Sequence, residues 1–514
     1  MSQRFPGRDR KAWLMPAAEG LTWSREPRSV TVVGGGIAGL AAAFGLAERG
    51  VDVTLVNPDA ELGGRVRSWE VNSPVGPVTM SRGFHAFFRQ YYNLRALLSR
   101  AGSVDSLLKP IGDYPVVSSN GDSDSFLGIP RTPPWNLISF VNKSDTFDLN
   151  GLRKVDVKAA MRLLDVDFPQ TYRDFDGVSA AEYLDSLRFP QRARHLALEV
   201  FARSFFADPR KFSAGEMVAM FHTYFVGSSE GLLFDVPSDD FDTSLWGPLS
   251  RRLDELHVKQ VTGAVTHLAK SDGSWVASCD GEPDIISDAV VLAAGPGATR
   301  QLVANSPDVG DEDWRRRIDE VRIAPAFAVW RVWTDRPVDS SRPGFLGTAG
   351  FTMLDNVSVL ERFEDGAAKW SKEYSGSVLE LHAYALDEDR TDPDTIKRCL
   401  REELEDVFPE TIGMEFRHQE LLIERDCSFA DASRPWDDLP TSETPDPTVK
   451  IAGDWVSSEL PIALMERAAT TGWSAANGLL ESWGLAGHDL WSPPSKGRHA
   501  APRLLRKLTQ GKTQ

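Results

Sequence analysis

The chain has 514 residues, 41% hydrophobic and 25% charged, the make-up of a globular protein rather than a disordered or membrane-spanning one. That length exceeds one compact core, so two or more lobes are expected. The net charge of −17 argues against nucleic acid as a partner, because neutralising phosphates takes basic patches, and is read as serving solubility.

Residues 1–28 are polar, carry Arg and Pro, and are expected to be a flexible extension without an apolar signal segment. Residues 29–57, SVTVVGGGIAGLAAAFGLAERGVDVTLVN, then read as strand, helix and strand. Val30 to Val33 form an apolar β-branched run, and Gly34, Gly36 and Gly39 follow in G-x-G-x-x-G spacing. Gly34 makes the turn, Gly36 lets the backbone approach a pyrophosphate, and Gly39 lets helix and strand pack closely. The helix N-terminus, with Ile37 and Ala38, offers free N–H groups and a positive dipole end to phosphates. An acid that usually ends the second strand and holds ribose hydroxyls is replaced by Asn57, which can accept a hydrogen bond and donate two.

Gly63-Gly64-Arg65 suits a loop wrapping a diphosphate, with Arg65 donating to phosphate or ribose. Arg82-Gly83-Phe84-His85 leads through an aromatic cluster into a helical pattern over 91–100. Between 101 and 245, Pro/Asp/Ser-rich loops give way to helical stretches at 159–166 and 192–206, the outline of an inserted lobe with an aromatic interior. Residues 256–269 and 275–279 read as strands, and 289–294 as a buried strand returning to the first sheet. Residues 321–334 and 377–386 alternate as half-buried strands do, and 394–408 reads as an amphipathic helix. Residues 449–454 and 465–472 give a strand, an Asp-bearing loop and a helix with small residues facing inward.

Cys279, Cys399 and Cys427 stand far apart, implying neither a disulfide framework nor a metal site and fitting a reducing compartment. No apolar run approaches the roughly 18 residues of a bilayer crossing, so a cytoplasmic location is expected. The tail, 490–514, is basic, and its Arg503, Arg506 and Lys507 suit contact with the inner face of the cell membrane as well as they suit a solvated tail.

The early glycine fingerprint, Gly63-Gly64-Arg65, and Gly453-Asp454 followed by 468–472 together resemble flavin-dependent amine oxidases and carotenoid desaturases. Several stretches are similar, more narrowly, to the carotene ring desaturase/methyltransferases that form aromatic φ-type end groups (isorenieratene synthase-like). These are RGFHAFFRQYYNLR (82–95), FARSFFADPRKFSAGE (201–216), FHTYFVGSSEGLLFDVP (221–237), VWRVWTDRP (329–337), LELHAYAL (379–386) and LPIALMERAATTGWSAAN (460–477). Ser81, just before Arg82, departs from the acid found there in related sequences.

The resemblance implies an α/β fold, a Rossmann-type FAD-binding domain with a discontinuous α+β substrate-binding domain. The first would take 29–100, 246–300 and 446–489, and the second 101–245 and 301–445. It implies FAD held by Gly34, Gly36, Ile37, Ala38, Gly39, Asn57, Gly63, Gly64, Arg65, Arg82, Gly83, Phe84, Val265, Gly453, Asp454, Met465 and Ala468. The implied substrate is a hydrophobic carotenoid whose β-ionone ring is desaturated with a 1,2-methyl shift. Candidate pocket aromatics are Phe84, Phe87, Phe88, Tyr91, Tyr224, Phe225, Trp330 and Tyr384, and candidate bases are His85, Glu380 and His382. A linear-carotene desaturase or isomerase, a flavin amine oxidase of a polar substrate, and a flavoprotein that binds lipid without turnover stay open, as does the electron acceptor.

Overall fold

The β-branched run Ser29–Val33 is buried and pairs in parallel with Asp52–Asn57 on one side and Ala289–Leu292 on the other. Lys259–Thr262 and Val449–Ile451 extend the sheet to five parallel strands, so the chain leaves it after Asn57, Thr262 and Leu292 and re-enters it each time. This computed structural model describes residues 9–143, 155–188 and 207–499.

The fingerprint helix, Ile37–Ala47, is buried along all 11 residues. Its lack of a polar stripe follows from its place between the sheet and a second helix, Leu464–Ser482. Small residues permit that crossing. A Cβ on Gly472 would lie 2.2 Å from the Ala38 carbonyl oxygen, and one on Gly45 would lie 2.8 Å from Ala476 Cβ.

The strand expected over 256–269 is two strands in two sheets. Leu256 closes the helix Gly247–Glu255, and Lys259–Thr262 joins the parallel sheet. The Gly263 amide then donates to Asn57 O, and Val265–Ser271 starts an antiparallel sheet with Ser274–Cys279 and Ile285–Ser287.

A second, mixed sheet of seven strands runs in the order Phe416–Glu424, Ala326–Thr334, Val378–Leu386, Asn356–Val359, Phe345–Ala349, Val116–Ser118, Ser123–Asp124. Its central strands, expected to be half-buried, are covered on both faces: all nine residues of Ala326–Thr334 are buried. One face carries Trp330, Leu379 and Leu381 into a core with Ile396, Leu400 and Leu404 of the amphipathic helix Pro393–Val407. The other carries Arg331, Glu380 and His382, polar yet no more than 2% exposed. The alternation was real; its polar face meets protein instead of water.

The N-terminal extension, expected to be flexible, is docked over its described part. Trp13–Met15 pairs antiparallel with Leu490–Ser492. Asp9 is buried and forms an ion pair of 2.5 Å with Arg498, so the start of the basic tail is also packed against the body. Arg503, Arg506 and Lys507, like the helix expected over 192–206, lie outside the described residues. Among the described residues no helix is long and apolar enough to cross a membrane.

Candidate active site

The two glycine loops are built against each other. Gly63 N–H donates to Gly35 O at 2.9 Å, and a Cβ on Gly64 would sit 3.1 Å from Gly36 Cα. Gly63 has φ +97°, and the Trp246 indole packs so closely behind it that a Cβ would lie 2.2 Å from Nε1. That indole donates to Val66 O at 2.6 Å, fixing the loop from behind. In front, a Cβ on Gly36 would find no protein atom nearer than 3.8 Å. The open side faces a cavity of about 740 Å³. No side chain caps the helix that begins at Ile37, so its first amides remain for a ligand. Buried donors add to this: Arg82 lines the cavity, and its Nε has no protein partner. A cradle of glycine backbone, an uncapped helix end and one unspent guanidinium N–H, that of Arg82 Nε, fits the diphosphate of FAD.

Of the residues expected to hold FAD, Gly34, Gly36, Ile37, Ala38, Asn57, Gly63, Gly64, Arg65, Arg82, Phe84, Gly453, Asp454, Met465 and Ala468 line this cavity. Three do not. Gly39 serves packing alone, since a Cβ there would lie 1.8 Å from Gly34 O. Gly83, at φ +100°, leaves room for the His382 ring, 2.6 Å from where its Cβ would be. Val265 opens the antiparallel strand, pairs with Cys279, and packs with the Trp275 core.

Two lining residues act differently from expectation. Both amide protons of Asn57 are spent on Asp59 O and Glu61 O, at 2.8 and 3.0 Å, and its Oδ1 accepts from Gly35 N–H. Asn57 therefore clamps the glycine loop and has no proton to donate to a ribose. Arg65 Nη2 is bonded to Asp454 at 2.5 Å, tying the Gly63–Arg65 loop to the Gly453–Asp454 loop. Burial lowers the Arg65 guanidinium, but Asp454, Cys427 and Asp426 together outweigh this and raise it above its ordinary value.

The same cavity continues between the sheets into an aromatic end. Phe84 stacks on Phe345 with centroids 4.3 Å apart, Phe88 meets Tyr224 at 4.7 Å, and Tyr114 meets Phe126 and Phe234, each at 4.7 Å. Phe84 therefore belongs with the aromatic end. Tyr224 and Phe225 sit on a π-helical turn, His222–Val226, a local rewinding often found at functional sites. Phe87 and Trp330, expected in the lining, are core residues, because strand alternation turns each to the opposite face.

Two of the three expected bases reach the cavity. His85 and His382 line the cavity; Glu380 does not. His85 Nδ1 is 2.7 Å from Gly83 O, which only accepts, so Nδ1 carries the proton. Burial lowers the His85 imidazole to about 4, which makes it neutral and a weak base. Glu380 lies behind His382 and is bonded to Arg331 Nε and Nη2 at 3.0 and 2.5 Å. Burial raises the carboxyl, but Arg331 and His382 more than offset this and hold it at about 2. Because Glu380 is ionised, its Oε1, 2.9 Å from His382 Nε2, must accept a proton from that nitrogen. The Phe84 amide N–H also points at this nitrogen from 3.2 Å, so it competes with Glu380 Oε1 for Nε2. In the neutral Nε2–H tautomer His382 Nδ1 is an acceptor, 2.5 Å from the Tyr384 hydroxyl, which also receives Asn356 Nδ2–H at 3.1 Å.

Arg331 and Ser81 are the parts sequence reasoning missed. Arg331 also donates to Thr79 O and to Ser81 Oγ, at 2.6 and 2.8 Å, so the serine at the departing position orients the guanidinium. The available signal was a lone arginine inside the apolar run AFAVWRVWT, which burial obliges to find an anion. A second buried pair, Arg467 with Glu216 at 2.7 Å, lines the wall where the helix Leu464–Ser482 begins.

A Rossmann-type sheet with this cradle, a second sheet, and a cavity shared between them define a flavin-dependent oxidoreductase. Residues 37–480 match the flavin-containing amine oxidoreductases, and the chain belongs to that family, with FAD as its cofactor. The fold is similar to that of putrescine oxidase, with a TM-score of 0.66 at 16% identity over 89% of this chain and 99% of that one. In sequence, the chain is 49% identical to the carotenoid phi-ring synthase of Streptomyces griseus, over 98% of this chain and 97% of that protein. It is 26% identical to the carotenoid phi-ring synthase of Chlorobaculum tepidum, over 88% of each.

Proposed function

We propose that this protein desaturates the β-ionone ring of a carotenoid, with a 1,2-methyl shift, to give an aromatic φ-type end group. The observation that carries the reading is the aromatic end of the cavity, continuous with the flavin cradle and suited to a hydrocarbon ring and polyene. Full-length similarity to two carotenoid phi-ring synthases supports it.

The ring dictates the chemistry. Its quaternary carbon carries two methyl groups and no hydrogen, so hydrogen removal alone cannot make it aromatic; one methyl must migrate. Bound flavin supplies a hydride acceptor. The protein's residues orient the ring, keep water from an intermediate carbocation and remove protons. The faces of Phe84, Phe88 and Tyr224 suit such a cation, at about 0.5–2 kcal/mol per contact. Residues Gly34, Gly36, Gly63, Gly64, Arg65 and Asp454 hold the cofactor in this reading. A cytoplasmic protein seated peripherally on the membrane that stores the carotenoid belongs to the same proposal.

Expression in a β-carotene-producing host tests it. New aryl carotenoids are expected. Unchanged β-carotene with altered acyclic carotenes would overturn it in favour of a linear desaturase or isomerase. Unchanged pigment with an amine-reducible flavin would overturn it in favour of an amine oxidase.

A further inference from the structure

Deprotonation at the ring needs a group that both touches the cavity and can pass its proton on. His85 meets the first condition only, because its one bare nitrogen belongs to a weakly basic imidazole. Glu380 meets neither, since it is off the wall and its oxygens are paired to Arg331 and His382. Tyr384 lines the cavity, and its hydroxyl points to the acceptor Nδ1 of His382. It packs against the same small cluster, Met80, Phe327 and Val329, as Cys427, and Cys427 in turn lies beside Arg65.

We propose that Tyr384 is the catalytic residue that takes the ring proton, with His382 as the acceptor of the phenol's own proton and Glu380 and Arg331 as positioning residues. This rests on the ring-desaturation reading. FAD held in the glycine cradle would supply the hydride acceptor, and the residues here act on the carbocation that hydride removal would leave on the substrate. The neighbouring ring C–H bond then breaks, and its electron pair enters the ring as the new C=C bond. The proton goes to the Tyr384 oxygen as the existing O–H bond breaks and a new N–H bond forms at His382 Nδ1. The imidazolium so formed faces the Glu380 carboxylate across 2.9 Å and is stabilised by it. Asn356 Nδ2–H steadies the phenol oxygen while its proton is in transit. The arrangement has the logic of a carboxylate–histidine–hydroxyl triad, in which the carboxylate fixes the tautomer. Arg331 keeps that carboxylate ionised, and Ser81 and Thr79 keep Arg331 in place.

Two measurements on the FAD-loaded protein test this. With β-carotene in phosphatidylcholine vesicles, Tyr384→Phe should lower kcat about 100-fold or more. Its FAD content and KM should stay within about twofold of wild type, because only a hydroxyl is removed. Independently of turnover, nitrogen-15 NMR of histidine-labelled protein should show His382 as the Nε2–H tautomer. That resonance is assigned by its loss in His382→Gln, and Glu380→Gln should abolish the preference. The proposal is overturned if Tyr384→Phe turns over within about threefold of wild type, or if it releases FAD, which would make Tyr384 a cofactor-holding residue. An Nδ1–H tautomer at His382 also overturns it. If wild-type protein forms no aryl carotenoid, the ring reading fails first, and the tautomer measurement still reports on the relay.

Discussion

Gly36 and Gly39 lie in one fingerprint but do different physical work, and alanine at each should separate the two. At Gly39 a Cβ would sit 1.8 Å from Gly34 O and 3.0 Å from Gly34 C, both backbone atoms that no rotamer change can move. The helix must back away from its strand, at a cost of about 1–3 kcal/mol or more. At Gly36 the nearest protein atoms would be 3.8 and 4.0 Å away. The backbone there, φ −77° and ψ −178°, is open to any residue. Gly36→Ala should therefore leave the apoprotein's stability within about 0.5 kcal/mol of wild type. The methyl stands in the path of the diphosphate, and FAD should bind about 10–100-fold more weakly, a loss of about 1.4–2.8 kcal/mol. Flavin fluorescence titration of deflavinated protein measures the second effect, and thermal melting of the same apoprotein measures the first. Gly39→Ala should lose both FAD and melting temperature. Wild-type FAD affinity in Gly36→Ala would refute the placement of the diphosphate against this loop.

Asn57→Asp should lower the melting temperature and not tighten FAD, because a carboxylate cannot donate to Asp59 O and Glu61 O; each lost donor costs about 1–3 kcal/mol. Tighter FAD binding in that variant would show that the position faces the ribose after all. Arg331→Met and Glu380→Gln should each destabilise by about 3–5 kcal/mol, because each strands the other's buried charge. The double variant should lose much less than the sum; additive shifts in a double-mutant thermal series would count against coupling. The Glu380 carboxyl falls from 4.5 to about 2 on folding, so it binds fewer protons folded than unfolded between those values. Its stabilisation is complete above about pH 5 and is lost as pH falls toward 2. The gap in melting temperature between wild type and Glu380→Gln should therefore narrow over that range; a gap independent of pH would contradict the assignment.

The first βαβ unit and the two later glycine loops were legible in the sequence because their requirements are local. A backbone that must meet a phosphate needs glycine wherever it turns or approaches, and the spacing writes that need into consecutive residues. The same holds for the amphipathic helix at Pro393–Val407, whose periodicity follows from its own one-sided burial. Polar alternation at 326–334 and 378–386 was also legible, but its meaning was not. Alternation says only that two faces differ, and the chain does not record that Arg331, Glu380 and His382 face protein.

Only the tertiary structure decided which residues share a wall of the cavity. Gly83 and Val265 fit the cofactor's pattern but serve packing, because the surfaces they touch come from other parts of the chain. Asn57 lines the cavity as expected, but its two amide protons are committed to the turn just after it. The docking of Trp13–Met15 on Leu490–Ser492 joins segments more than 470 residues apart, and neither carries a local sign of the other. Sequence determined that a flavin diphosphate would be cradled and where the cradle would form, because that chemistry is built from neighbouring backbone atoms. The proton path from Tyr384 to His382, and the hold of Glu380 and Arg331 on that histidine, depend on strand register and on which face each side chain takes, and these are set only when the sheet is assembled.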